Sequence, residues 1–160
     1  TTLDTVRLRY LIGNKLSLSP KNVHAYVMGE HGDSEFVPWS NAFIGSVNIN
    51  NYLSKELLEN IALKVKHSAY DIINKKGATY YAIGMVLVRI TNAILDDENT
   101  ILTVSSYDKE KDVYYGRPVI VNNKGIGNVI DIELNEKEKQ QLDNSISILQ
   151  EEIKKWKEGS

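Results

Sequence analysis

Leu3, Val6, Tyr10 and Leu11 recur at helical spacing from the start of the chain, and Gly13-Asn14 marks where that pattern weakens. Beyond Pro20 the period changes. Val23, Ala25 and Val27 alternate with His24, Tyr26 and Met28, which predicts a strand. Residues 29–34 are polar, punctuated by Gly29 and Gly32, and read as a loop. Apolar runs at 36–39 and 42–47 predict two short strands before a turn at 48–51. Ser54 then caps a long helix whose apolar face runs through Leu57, Leu58, Ile61, Val65, Ala69 and Ile72 or Ile73 to Gly77. The segment carrying Tyr81, Ile83, Val86, Leu87, Ile90 and Ile94 is apolar on most sides, which predicts a second helix buried in the middle of the domain.

Strand periodicity returns at 101–104, 118–121 and 128–134, separated by the polar stretches 108–111 and 122–125, as in an antiparallel meander. Asn135 with Glu138 forms a capping-box start, and Leu142, Ile146, Leu149, Ile153 and Trp156 make one apolar stripe along a terminal helix. Strands and long helices without regular β-α-β alternation predict an α+β fold, antiparallel strands packed with long helices, rather than a doubly wound nucleotide-binding one. Gly125-Ile126-Gly127 supplies the first two glycines of a dinucleotide fingerprint, but Ile130 stands where the third belongs and a strand follows. A hairpin turn is expected there.

The length of 160 residues fits one domain with one core, and 42% hydrophobic with 25% charged residues excludes disorder. A net charge of -2 with scattered lysines gives no nucleic-acid footprint. The most apolar stretch, 80–88, is far shorter than a membrane span and ends at Arg89. Asp4 and Arg7 interrupt any signal-like run, and the chain begins at Thr1, as a piece of something longer would. The absence of cysteine removes thiolate chemistry and favours an intracellular setting.

Three histidines remain as candidate chemistry. His67 falls on the polar side of a lysine-rich helix and reads as a surface residue. His31 sits in the glycine-flanked loop, where catalytic groups tend to be displayed. A zinc site joining it to His24 is disfavoured, since extended chain would hold the two roughly 20 Å apart, and no metal is expected. Asp4 and Arg7 share a helix face, as a surface ion pair would. Arg9 points to roughly the opposite side from Arg7, so if both arginines act they serve two sites.

The stretches LDTVRLRY at 3–10, NVHAYVMGEHGDS at 22–34 and KGATYY at 76–81, with Trp39 downstream, resemble the C-terminal half of bacterial L-lactate dehydrogenases of the lactate/malate dehydrogenase family. The resemblance covers nearly the whole chain. One departure is Pro38 directly before Trp39, where many relatives have a residue between them. It implies that 1–160 is the substrate-binding, catalytic C-terminal domain. The N-terminal dinucleotide-binding domain, with its lid loop and carbonyl-polarising arginine, would lie outside this chain. By the same resemblance His31 is the acid/base and Asp4 its partner, Arg7 and Thr79 bind substrate, and Ile83 faces the nicotinamide of NAD. Arg9 and His24 match positions that hold fructose 1,6-bisphosphate at a subunit interface in allosteric members. The implied setting is a cytoplasmic homotetramer of fermentative glycolysis, with pyruvate and L-lactate as substrates. Malate dehydrogenase of the same family and a non-catalytic, oligomer-forming module stay open as alternatives, since the residue that separates malate from lactate lies in the lid loop.

Overall fold

The computed structural model describes residues 1–77 and 80–159. Four helices, α1 (Thr2–Leu16), α2 (Lys55–Lys76), α3 (Tyr81–Leu95) and α4 (Glu136–Glu158), flank two small antiparallel sheets. The first sheet joins β1 (Val23–His24), β2 (Phe43–Ile44) and β3 (Val47–Asn48); the second joins β4 (Thr100–Asp108), β5 (Val113–Asn122) and β6 (Gly125–Val129). The expected α+β class is the observed one, and no described helix is long and apolar enough to cross a membrane.

α1 does not stop at Gly13-Asn14. It continues to Leu16 and closes on Ser17 in the left-handed region. Gly13 is a close-approach site instead: a Cβ there would stand 2.8 Å from the Leu18 carbonyl oxygen, so only glycine lets the returning chain pack on the helix. The predicted strand at 23–28 pairs at its ends, Val23 and His24 with β2 and Met28 in a bridge to Phe36. Between them the chain bonds to α1 side chains: the Val27 N–H donates to Thr5 Oγ1 at 2.9 Å, and Arg9 Nε donates to the Ala25 carbonyl at 3.0 Å. The runs at 36–39 and 42–47 shrink to a bridge at Phe36 and two-residue strands, because a 3-10 turn at Trp39–Asn41 interrupts them.

Ser54 caps α2 as expected, accepting from the Leu57 N–H at 3.3 Å. The long β4–β5 hairpin pairs Thr100 with Val121 at one end and Asp108 with Val113 at the other. Gly125, at φ 89°, closes the tight turn into β6 rather than a phosphate loop. β6 ends at Val129, and beyond one bond from the Ile130 N–H to the Pro118 carbonyl the chain runs to α4 without the predicted strand.

The single expected core is three buried clusters. The largest packs Leu8 and Ile12 of α1 and Leu58, Ile61 and Val65 of α2 around Val23, Ala25 and Val27. A second sets Ala93 against Val119 and Val121, and a third sets Ile146 of α4 on Val113 and Tyr115. The α4 stripe is covered only as far as Leu149, and Ile153 and Trp156 are exposed. The largest departure is α3. Far from being buried in the middle of the domain, it exposes Tyr81, Ile83, Met85, Leu87 and Val88, and among its described residues only Ala93 is buried, against the second sheet with Ile94 beside it.

Candidate active site

The N-terminal turns of α1 are fastened on their inner face. Thr5 Oγ1 lies 2.9 Å from Thr103 Oγ1 on β4, and Thr2 Oγ1 donates to the Thr103 carbonyl. This fixes Asp4, whose carboxylate side chain is only 4% exposed. Residues 29–34 are the expected loop, and its base is tied to β5, with the Gly29 and Gly116 N–H groups each donating to the other's carbonyl at 2.9 and 2.8 Å. So held, the loop carries His31 over the helix, with Nδ1 3.0 Å from Asp4 Oδ2. Arg7, one turn along α1, sets a guanidinium nitrogen 3.2 Å from Asp4 Oδ1. The imidazole itself is largely exposed, and Nε2 has no hydrogen-bond partner among the described residues.

Electrostatics follow from this placement. Burial alone would raise the Asp4 carboxyl, but positive charge beside it, His31 foremost, outweighs it and holds the pKa at about 2. The Asp4 contact raises His31 above its ordinary value against an opposing pull from burial, so the protonated form persists closer to neutrality. Glu35, a residue that sequence reasoning missed, joins them. Its carboxylate, an Asp4 oxygen and a His31 nitrogen lie within 4.8 Å of one another, the one such His–carboxylate trio among the described residues. Burial first, then the Asp4 charge, push Glu35 up to about 7. A lone glutamate four residues past a loop histidine carries no pattern that reveals this. Gly32, Lys66, Ala69 and Tyr70 complete a cavity of about 120 Å³ beside Asp4, His31 and Glu35.

Arg9 and His24 come together elsewhere. Both line an open concavity of about 580 Å³ with Lys21, on the other side of α1 from Arg7, and the Arg9 guanidinium lies over the Tyr26 ring at 5.0 Å. Ile83 is 46% exposed on the apolar face of α3. Ile90, seven residues on and therefore on the same helix face, lines a further concavity with His31 and Leu149. Thr79 lies outside the described residues.

Residues 1–159 match the family described as lactate/malate dehydrogenase, alpha/beta C-terminal domain. The chain belongs to this family. An L-lactate dehydrogenase of Geobacillus sp. (strain WCH70) is 49% identical over 98% of the chain and 52% of the relative. Among solved structures, a lactate dehydrogenase from a Medee basin deep-sea metagenome library superposes with a TM-score of 0.90 at 50% identity, over 94% of this chain and 52% of that one. Malate dehydrogenase from Salinibacter ruber superposes with a TM-score of 0.91 at 28% identity, over 98% and 53%. The chain thus spans about half the length of the lactate/malate dehydrogenase family members it matches.

Proposed function

We propose that this chain is the substrate-binding, catalytic half of an NAD-dependent L-lactate dehydrogenase, interconverting pyruvate and L-lactate once joined to a nucleotide-binding half. The observation that carries the reading is the buried Asp4 carboxylate 3.0 Å from His31 Nδ1. That buried charge beside Nδ1 stabilises imidazolium and leaves Nε2 to exchange a proton. In pyruvate reduction that nitrogen donates its proton to the carbonyl oxygen as the carbon is reduced; in lactate oxidation it takes the hydroxyl proton back. Arg7 uses one N–H on Asp4 and has others for the two-pronged grip on the substrate carboxylate that a lysine cannot copy. A non-catalytic module has no use for a carboxylate buried beneath an exposed imidazole.

The fit to NAD is divided. Ile83 offers apolar surface for the nicotinamide ring, whereas the described residues hold no glycine loop opening a helix for the pyrophosphate. When bound, the cofactor supplies the hydride. Thr79 is assigned to the substrate pocket on the family resemblance alone. Arg9 and His24, with Lys21 beside them, suit the phosphates of fructose 1,6-bisphosphate at a contact between subunits of a cytoplasmic homotetramer. The malate reading is supported by the Salinibacter ruber superposition, but identities near 50% to lactate dehydrogenases against 28% favour lactate.

Joining the chain to a nucleotide-binding half from a lactate dehydrogenase relative tests this. Pyruvate reduction with NADH, at a kcat/KM well above that for oxaloacetate, is expected, while the chain alone binds NADH poorly by calorimetry. A preference for oxaloacetate replaces the lactate reading with the malate one, and turnover unchanged in His31→Ala removes the acid/base assignment.

A further inference from the structure

Ser145 lies in the interior of α4 and is fully buried. A serine there is a poor helix former, and its hydroxyl must find partners away from water. Those partners are on the histidine loop: the Glu30 N–H donates to Ser145 Oγ at 2.6 Å, and the Ser34 and Ser145 hydroxyl oxygens are 3.1 Å apart. Ser34 in turn bonds through its hydroxyl to the Glu30 carboxylate, so residues 30 and 34 are tied to each other and to one point on α4, with His31 between them. Gly29 makes the approach possible, since at φ 94° it has no Cβ to stand 2.5 Å from Ser145 Oγ.

The anchor is itself fixed. The capping box of Asn135 and Glu138 starts α4, the Glu138 carboxylate accepts from the Ser40 N–H at 2.9 Å, and Ile146 is buried on β5. The two ends of the loop are also held, by β5 through Gly116 and by the paired Met28 and Phe36 backbones, and Lys66 bonds the Asp33 carbonyl, but only Ser145 joins residues 30 and 34, on either side of the histidine, to α4.

We propose that Ser145 is a positioning residue for His31: from α4 it clamps both sides of the loop, and the clamp keeps the imidazole against Asp4. The proposal rests on the acid/base reading of His31 and adds that the terminal helix, not the loop alone, sets the geometry of the pair. Loop and helix are more than a hundred residues apart in sequence.

The test is an NMR titration of the His31 ring in the full chain. The titratable groups that face it are Asp4 of α1 and the Thr1 amine before it, Glu30, Asp33 and Glu35 on and after the loop, Lys66 and Tyr70 on α2, and Tyr114 and Tyr115 on β5. Ser145→Ala is expected to move the His31 titration downward by about half a unit, roughly a threefold loss of proton affinity, as the contact with Asp4 loosens. Ser147→Ala, which removes an exposed hydroxyl of the same helix bonded only to the Asp143 carbonyl, should leave it in place. If Ser145→Ala fails to fold, Ser34→Ala cuts the same clamp from the loop side and should shift His31 in the same direction. A folded Ser145→Ala, or failing that Ser34→Ala, with His31 titrating as in the parent overturns the proposal. Asp4→Asn separates the two ideas: if it lowers the His31 titration while Ser145→Ala does not, the clamp falls and the acid/base reading stands. If Asp4→Asn is also silent, both fall.

Discussion

On the proposed reading, α1 serves two sites of opposite character. At its start, Asp4 is buried, ionised and already in contact with His31 and Arg7, so the groups stand in place before any ligand arrives. Further along, Arg9 and His24 line an open concavity in which the guanidinium rests on Tyr26 and a backbone carbonyl. The first site is held together within one chain, by α1 fastened to β4 and by the histidine loop fastened to β5. The second gathers the basic side chains Arg9, Lys21 and His24 round an open concavity that Glu98 also lines. A site doing proton transfer needs its geometry fixed to a fraction of an ångström, whereas a regulatory site must differ between two assembly states to have any effect.

The comparison can be broken most sharply at His31. In the assembled enzyme His31→Ala should lower kcat for pyruvate reduction by about 10² or more, since general acid catalysis is worth ~10²–10⁴, and Arg7→Lys should act chiefly on KM; steady-state kinetics of both variants check this. Next comes Asp4. Its folded pKa lies near about 2, below the ordinary value of 3.8. A depressed carboxyl stabilises the fold above its unfolded pKa, and that contribution is lost as pH falls through the folded one. Asp4→Asn should therefore cost about 2 kcal/mol in denaturant unfolding at pH 6 and converge with the parent near pH 2. His31 has the reverse sign, its contribution being present at lower pH and lost as pH rises through its raised pKa.

Glu35 sharpens the comparison in the other direction. Its carboxyl is pushed up to about 7, so burying it weakens the fold as pH rises from its ordinary range toward that value. Glu35→Gln should match the parent at pH 4 and exceed it by about 1 kcal/mol at pH 8, the figure being reduced for the partial exposure of the group; urea unfolding at both pH values reads the difference. The smallest expected effect lies at the second site. Arg9→Leu should abolish a severalfold lowering of the pyruvate KM by fructose 1,6-bisphosphate while leaving kcat at saturating pyruvate within about twofold. An effector response that survives the substitution would show that the two ends of α1 do not divide the work.

The order of the long elements was legible in the chain: the Ser54 cap, the Asn135–Glu138 capping box and the period-two runs behind β4 and β5 are local signals that the fold around them reinforces. The pairing of His31 with Asp4 was legible only through the family resemblance, since spacing alone reads Asp4 and Arg7 as a surface ion pair. The exposure of α3 was not legible, because a helix apolar on most sides reads the same whether its cover is in this chain or in another domain. Glu35 and Ser145 were equally silent. Each is an ordinary polar residue until folding brings Glu35 beside Asp4 and carries Ser145 to a loop more than a hundred residues away. The sequence by itself determined which groups could move a proton and hold a carboxylate. Only the tertiary structure decided which of them meet, because burial, charge coupling and hydrogen bonding depend on distances across the fold that no periodicity along the chain encodes.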